Sequence, residues 1–159
     1  MHIGFYEERY WKVDHVSSPE LFYLALPCLL EEGTVIYFNS FSEREESVEF
    51  LDRHLAPAHL IEPVETCASS EPLTWSRHCL YTPAMQKGLA EFFAAWNTPM
   101  ADNIVCYRRR ELLLWFHDAL TGGELQLAAR YSQDEVAQFC AAMSPRFEAV
   151  IPPNEAAQN

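Results

Sequence analysis

Glu111-Leu112-Leu113-Leu114-Trp115-Phe116-His117-Asp118-Ala119-Leu120-Thr121-Gly122-Gly123-Glu124-Leu125-Gln126-Leu127-Ala128-Ala129 decides the fold. From Leu112 to Phe116 apolar side chains fall on both faces, Leu112, Leu114 and Phe116 against Leu113 and Trp115. A strand carries that pattern when it is covered above and below, so this one is expected in the middle of a sheet. Thr121-Gly122-Gly123 turns the chain into a second strand, Glu124 to Ala129, which makes the pair a hairpin.

Working outward, Ile104 to Arg108 reads as a further strand just before the hairpin. Ser132 with Glu135 forms a capping box just after it, opening a helix whose Val136, Phe139, Cys140 and Met143 share a face. Thr82-Pro83 starts the clearest helix: Met85, Leu89, Phe92, Phe93 and Trp96 keep the helical rhythm until Asn97-Thr98-Pro99 ends it. Toward the N-terminus, His2 to Val13 suggests a strand. Ser18-Pro19 opens a helix toward Leu30, interrupted by Pro27 and stopped at Gly33, and Thr34 to Phe38 is a buried strand. Ser42 with Glu45 predicts a capping box and a helix through Leu55, with Val48, Leu51 and Leu55 on its inner side. Leu60-Ile61, Trp75 to Tyr81 and Phe147 to Ile151 are short strand candidates. The sum is one α+β domain over residues 1–151, a mostly antiparallel sheet packed with about four helices, followed by a frayed tail at 152–159.

Composition agrees with a folded globule, since 49% of residues are hydrophobic and 13% aromatic, too many for a disordered chain. Charge is distributed unevenly. Residues 1–71 hold 14 Asp/Glu against 4 Lys/Arg, and residues 72–159 hold 9 against 7, so −10 of the net −12 lies in the first half. Such a field repels nucleic acid and anionic membrane and attracts basic surfaces. It is densest on the helix after Ser42, where Glu45, Glu49 and Asp52 form a stripe with Glu46 further round. These four carboxylates are the candidate partner-binding residues. A solvated helix face is the bland explanation, but Glu31, Glu32, Glu62, Glu65 and Glu71 extend the acidity without nearby Lys or Arg to balance them.

No catalytic or metal motif is found. Phosphate-loop, dinucleotide, nucleophile-elbow and H-E-x-x-H patterns are missing, and 5 glycines in 159 residues supply few phosphate-cradling loops. His54 and His59 are wrongly spaced for one helical face, and His78 and Cys79 alternate on a strand, so neither a metal nor a cofactor is expected. His117-Asp118 is an orienting pair or, more simply, a hairpin cap. The cysteines at 28, 67, 79, 106 and 140 are odd in number and widely spaced, which points to reduced structural thiols. Arg108 and Arg110 are expected on one strand face and Arg109 on the other, paired with internal carboxylates or holding a subunit contact, so a homodimer stays open. No apolar run spans a membrane and no signal peptide is read, so the expected address is cytoplasmic.

Leu112 to Leu120, the hairpin, and Ser132-Gln133-Asp134-Glu135-Val136-Ala137-Gln138-Phe139-Cys140 together resemble the immunity proteins of bacterial polymorphic toxin systems. The likeness is strongest to those paired with nuclease toxins of restriction-endonuclease fold. That resemblance implies a non-enzymatic inhibitor, part of bacterial antagonism, that binds a cognate toxin and occludes its active site or substrate channel. It assigns no individual residue. The rival expectations are a small hydrolase or transferase built on a Cys–His or His–Asp site, and a ligand-binding or oligomeric adaptor.

Overall fold

The computed structural model describes Phe5 and residues 10–13, 16, 18–41, 44–64, 76–96, 100–119, 123–143 and 150–151. Its strands are β1 (Tyr10–Val13), β2 (Val35–Phe41), β3 (Ser76–Leu80), β4 (Ala101–Arg108), β5 (Glu111–Phe116), β6 (Leu125–Ala128) and β7 (Val150–Ile151). They form one seven-stranded sheet in the order β3-β2-β4-β5-β6-β1-β7, antiparallel throughout. β5 is the central strand, as its two-sided apolar pattern requires.

Four α-helices complete the α+β domain: α1 (Pro19–Ala25), α2 (Glu45–Asp52), α3 (Pro83–Ala95) and α4 (Gln133–Met143). Three start where their capping residues direct. Ser18 Oγ accepts from Leu21 N–H at 3.5 Å, Thr82 Oγ1 accepts from Met85 N–H at 3.1 Å, and Ser132 and Glu135 exchange the reciprocal bonds of a capping box. α1 tightens at Pro27 into a 3₁₀ turn, Leu26–Cys28, and Gly33 (φ 87°) reverses the chain into β2.

One sheet face carries the helices. Phe22 of α1 meets Phe116 of β5 edge-on with ring centroids 4.9 Å apart and Phe139 of α4 at 6.3 Å, while Tyr23 stacks on Phe93 of α3 at 5.0 Å. The opposite face, with Val35, Tyr37, Val105 and Tyr107, is covered by Ala56, Leu60 and Val64 of the segment after α2.

The structure departs from the sequence expectations at definite points. The pairing of β4 with β5 shifts between Cys106 and Tyr107, so Leu113 is the extra residue of a bulge. Leu113 therefore joins Leu114 and Phe116 in the helix-side core, leaving Leu112 and Trp115 toward the second face. Leu60 lies in a 3₁₀ turn, Ala58–Leu60, not in a strand. α2 ends at Asp52, and its inner side is Ser47, Phe50 and Leu51 with Val48 half-buried; Leu55 is 51% exposed and bridges to Cys79 of β3. The N-cap of α2 is Arg44, with no side-chain cap bond; Ser42 lies outside the described residues, as do Trp75, Asn97 to Pro99, Thr121-Gly122 and the 152–159 tail. Arg109 (φ 50°) and Arg110 (φ 67°) form the tip of the β4–β5 hairpin, so strand alternation no longer governs them. Arg108 pairs with Glu31 and Arg110 with Glu62 (3.3 Å), on different parts of the chain.

Leu114 has no exposed surface. Leu114→Ala is expected to lower the unfolding free energy by about 2–5 kcal/mol, read from chemical denaturation. A loss below about 1 kcal/mol would show that β5 is not the buried centre.

Candidate functional site

The ion pairs decide which part of the acidic half is available. Glu31 is held by Arg108, Glu62 by Arg110 and Asp52 by Arg77 Nε at 2.7 Å. These cations come from the second half of the chain, brought alongside by strand pairing, so for Glu31 and Glu62 the expectation of no balancing cation is corrected. Among the described residues, Glu45, Glu46 and Glu49 have no ion-pair partner. Of the four expected partner-binding residues, Asp52 therefore belongs to the α2–β3 contact, while Glu45, Glu46 and Glu49 face outward. Glu45 and Glu46 also lie in the first turn of α2, where carboxylates offset the positive end of the helix in place of a side-chain cap. Glu49, a turn further on, has no such role.

α2 and α3 meet at a glycine. A Cβ on Gly88 would lie 2.9 Å from the Phe50 ring and 3.3 Å from His54 Nε2, so the missing side chain is what admits both. Phe50 also packs on Phe92 at 5.3 Å. Phe50 thus faces both Gly88 and Phe92, and His54 faces Gly88. The helices therefore run antiparallel, and the Glu46 end of α2 lies toward the C-terminal end of α3.

Above this contact runs an open groove of about 580 Å³, floored by Phe50, Phe92, Gly88 and Ala84. Glu46 and Glu49 rim it from α2, with Arg53 and His54 following that helix. Lys87 and Glu91 rim it from α3, paired with each other at 3.7 Å. Trp96, 40% exposed, closes the end where α3 stops. Expected as the last residue of the buried α3 face, Trp96 instead lines the groove, because the backbone leaves helical geometry there (φ −129°, ψ 117°). The sequence did hold a signal for the groove. A glycine inside a strong helix costs about 1 kcal/mol relative to alanine, so Gly88 marks a close approach.

Three of the described cysteines, Cys79, Cys106 and Cys140, are buried. Burial pushes the Cys79 and Cys140 thiols up to about 12 and Cys106 further still, which keeps them protonated. Cys28, expected among apolar neighbours, is half-buried and lines a second cavity of about 220 Å³ with Glu31, Arg108 and Arg130. His117 Nδ1 lies 3.0 Å from Asp118, and the Gly123 N–H donates to the Asp118 carbonyl at 2.9 Å, the geometry of a hairpin cap. No group of three or more His, Cys, Asp or Glu gathers among the described residues. No helix among them is long and apolar enough to cross a membrane.

His78 ties the second sheet face together. Tyr107 Oη accepts from the Glu62 N–H at 3.0 Å and lies 2.9 Å from His78 Nδ1, while Tyr37 packs on the imidazole at 4.6 Å. Burial raises the Tyr107 pKa, so the hydroxyl stays protonated beside His78. No protein-family model matches the chain, and neither curated proteins nor solved structures give a significant match.

Two outcomes follow. At neutral pH a thiol reagent should modify Cys28 well before Cys79, Cys106 and Cys140, which should react only after denaturation. Rapid labelling of any of those three at pH 6 would restore the catalytic reading. Burial also lowers the pKa values of His78 and His54, in His54 with help from Arg53. The unfolded chain then takes up protons first as pH falls, so this stability is complete above about 6.5 and is lost as pH drops through the lowered folded values. Denaturation midpoints at pH 7.5 and 5.5 should differ, and His78→Gln should shrink the difference; an unchanged difference assigns the effect elsewhere.

Proposed function

We propose that this protein is an inhibitor of the immunity-protein type: it binds a cognate bacterial toxin, a nuclease effector, and blocks that toxin's active site or substrate channel without catalysis. The observation that carries the reading is the location of the unpaired acidity. Glu31, Asp52 and Glu62 are neutralised within the fold, whereas Glu46 and Glu49 remain unpaired at the rim of a groove that also exposes Trp96. Carboxylates beside an apolar floor suit a basic protein surface. The positive cleft with which a nuclease holds phosphates is one such surface. Charge then governs how fast the complex forms, and the aromatic floor governs how long it lasts. Burial holds the Cys79, Cys106 and Cys140 thiols protonated, which among the described cysteines leaves Cys28 to the Cys/His hydrolase alternative.

The test begins with the partner that co-purifies with the tagged protein from its host. Glu45→Lys/Glu46→Lys/Glu49→Lys should slow association roughly tenfold or more while leaving the fold intact. The lost helix-end charges cost about 0.3–1 kcal/mol each, short of unfolding. Asp52 is left in place because Arg77 depends on it. Wild-type association should also slow as the Debye length falls from about 10 Å at 0.1 M salt to about 3 Å at 1 M. A rate that neither the mutations nor salt alters removes α2 from the interface.

A further inference from the structure

We infer that the Trp96 end of the groove is a subsite for a guanidinium: one arginine side chain of the partner, its stem along Phe92, its planar head on the Trp96 indole, its charge toward Glu46 and Glu49. This deepens the docking reading and takes from it only that the groove is a binding surface.

Three features converge at that end. The indole of Trp96 is exposed and lines the groove at the C-terminus of α3. An aromatic face attracts a cation, and a planar guanidinium stacks on indole better than a compact ammonium does. The antiparallel crossing of α2 and α3 brings Glu46 and Glu49 to the same end, both free of ion pairs among the described residues. The last turn of α3 also ends there. That turn is the negative end of the helix, and it carries no basic residue of its own. Of the groove's own cations, Arg53 donates through Nε to the Glu49 main-chain carbonyl at 3.1 Å and Lys87 pairs with Glu91 at 3.7 Å.

An arginine from a partner fits better than an extended peptide backbone. Most of both walls is α2 and α3, whose interior main-chain groups are bonded within each helix, so a strand laid along them would find few partners for its own N–H and C=O groups. A side chain entering head-first brings its five donors to two carboxylates and asks nothing of the walls.

The probe is argininamide, with citrullinamide as its uncharged isostere, titrated at constant ionic strength into ¹⁵N-labelled full-length protein. Argininamide should shift the Trp96 indole N–H, identified through Trp96→Phe, and the Gly88 amide, with saturation in the millimolar range. Citrullinamide, or argininamide with Glu46→Gln/Glu49→Gln protein, should bind roughly fivefold more weakly or worse. Equal shifts from both probes, or none from either, overturn the subsite whatever the partner kinetics show. With the co-purified partner, Trp96→Ala should speed dissociation and Trp96→Phe should recover part of the loss. If argininamide binds as expected but neither these variants nor the charge reversals alter partner kinetics, the subsite stands and the docking reading fails. Self-association abolished by Arg109→Ser would give the subsite to the hairpin tip of a second copy and overturn the partner assignment.

Discussion

Because β4 and β5 carry apolar side chains on both faces, water has to be kept from both, and the helices cover only one. α1 lies centrally on that side, with Phe22 against Phe116 and Phe139, and Tyr23 against Phe93. The second face depends on the irregular segment after α2. That segment is held by main-chain bonds to β3 and by the Tyr107 hydroxyl, which takes the Glu62 N–H from inside the sheet. The position of α2 follows from this. Its C-terminal end must deliver the chain to the second face, while Leu51 and Asp52 stay fastened to Cys79 and Arg77 of β3. α2 is thereby left beside α3 with an open groove between them, so the candidate site is a by-product of covering the sheet twice.

Electrostatics follows from the same topology. The strand order interleaves the halves of the chain: β2 lies between β3 and β4, and β1 between β6 and β7. Acidic residues of the first half thus meet arginines of the second. Each such exposed pair is worth about 0–1 kcal/mol. Their larger effect is on the shape of the field, which they weaken at Glu31, Asp52 and Glu62 and leave in place at Glu45, Glu46 and Glu49.

How much the sequence disclosed depended on the range of the interaction involved. α3 and α4 were legible because caps and periodicity are local, and the two-sided pattern of Leu112 to Phe116 correctly put β5 in the interior. The bulge at Leu113 was not legible, since it is set by register with β4 rather than by β5 alone. Leu55 continued an apolar pattern but was drawn out of the helix by its bridge to Cys79. At the site, Glu45, Glu46 and Glu49 could be read from charge spacing. Asp52 looked identical to them until Arg77, distant in sequence, claimed it. Gly88 and Trp96 matter only through the crossing of two helices, which no single helix pattern encodes.

The bridge at Leu55 has one more effect. The outer edge of β3 would otherwise present a row of main-chain groups on which another chain could build. Instead the Ala56 N–H donates to His78 O and the Leu80 N–H to His54 O, each at 2.8 Å, so the C-terminal part of that edge is occupied by the protein's own backbone. A strand approaching from outside finds these two positions already filled. At this point on its edge an aromatic-rich sheet offers less of a template for growth into fibres.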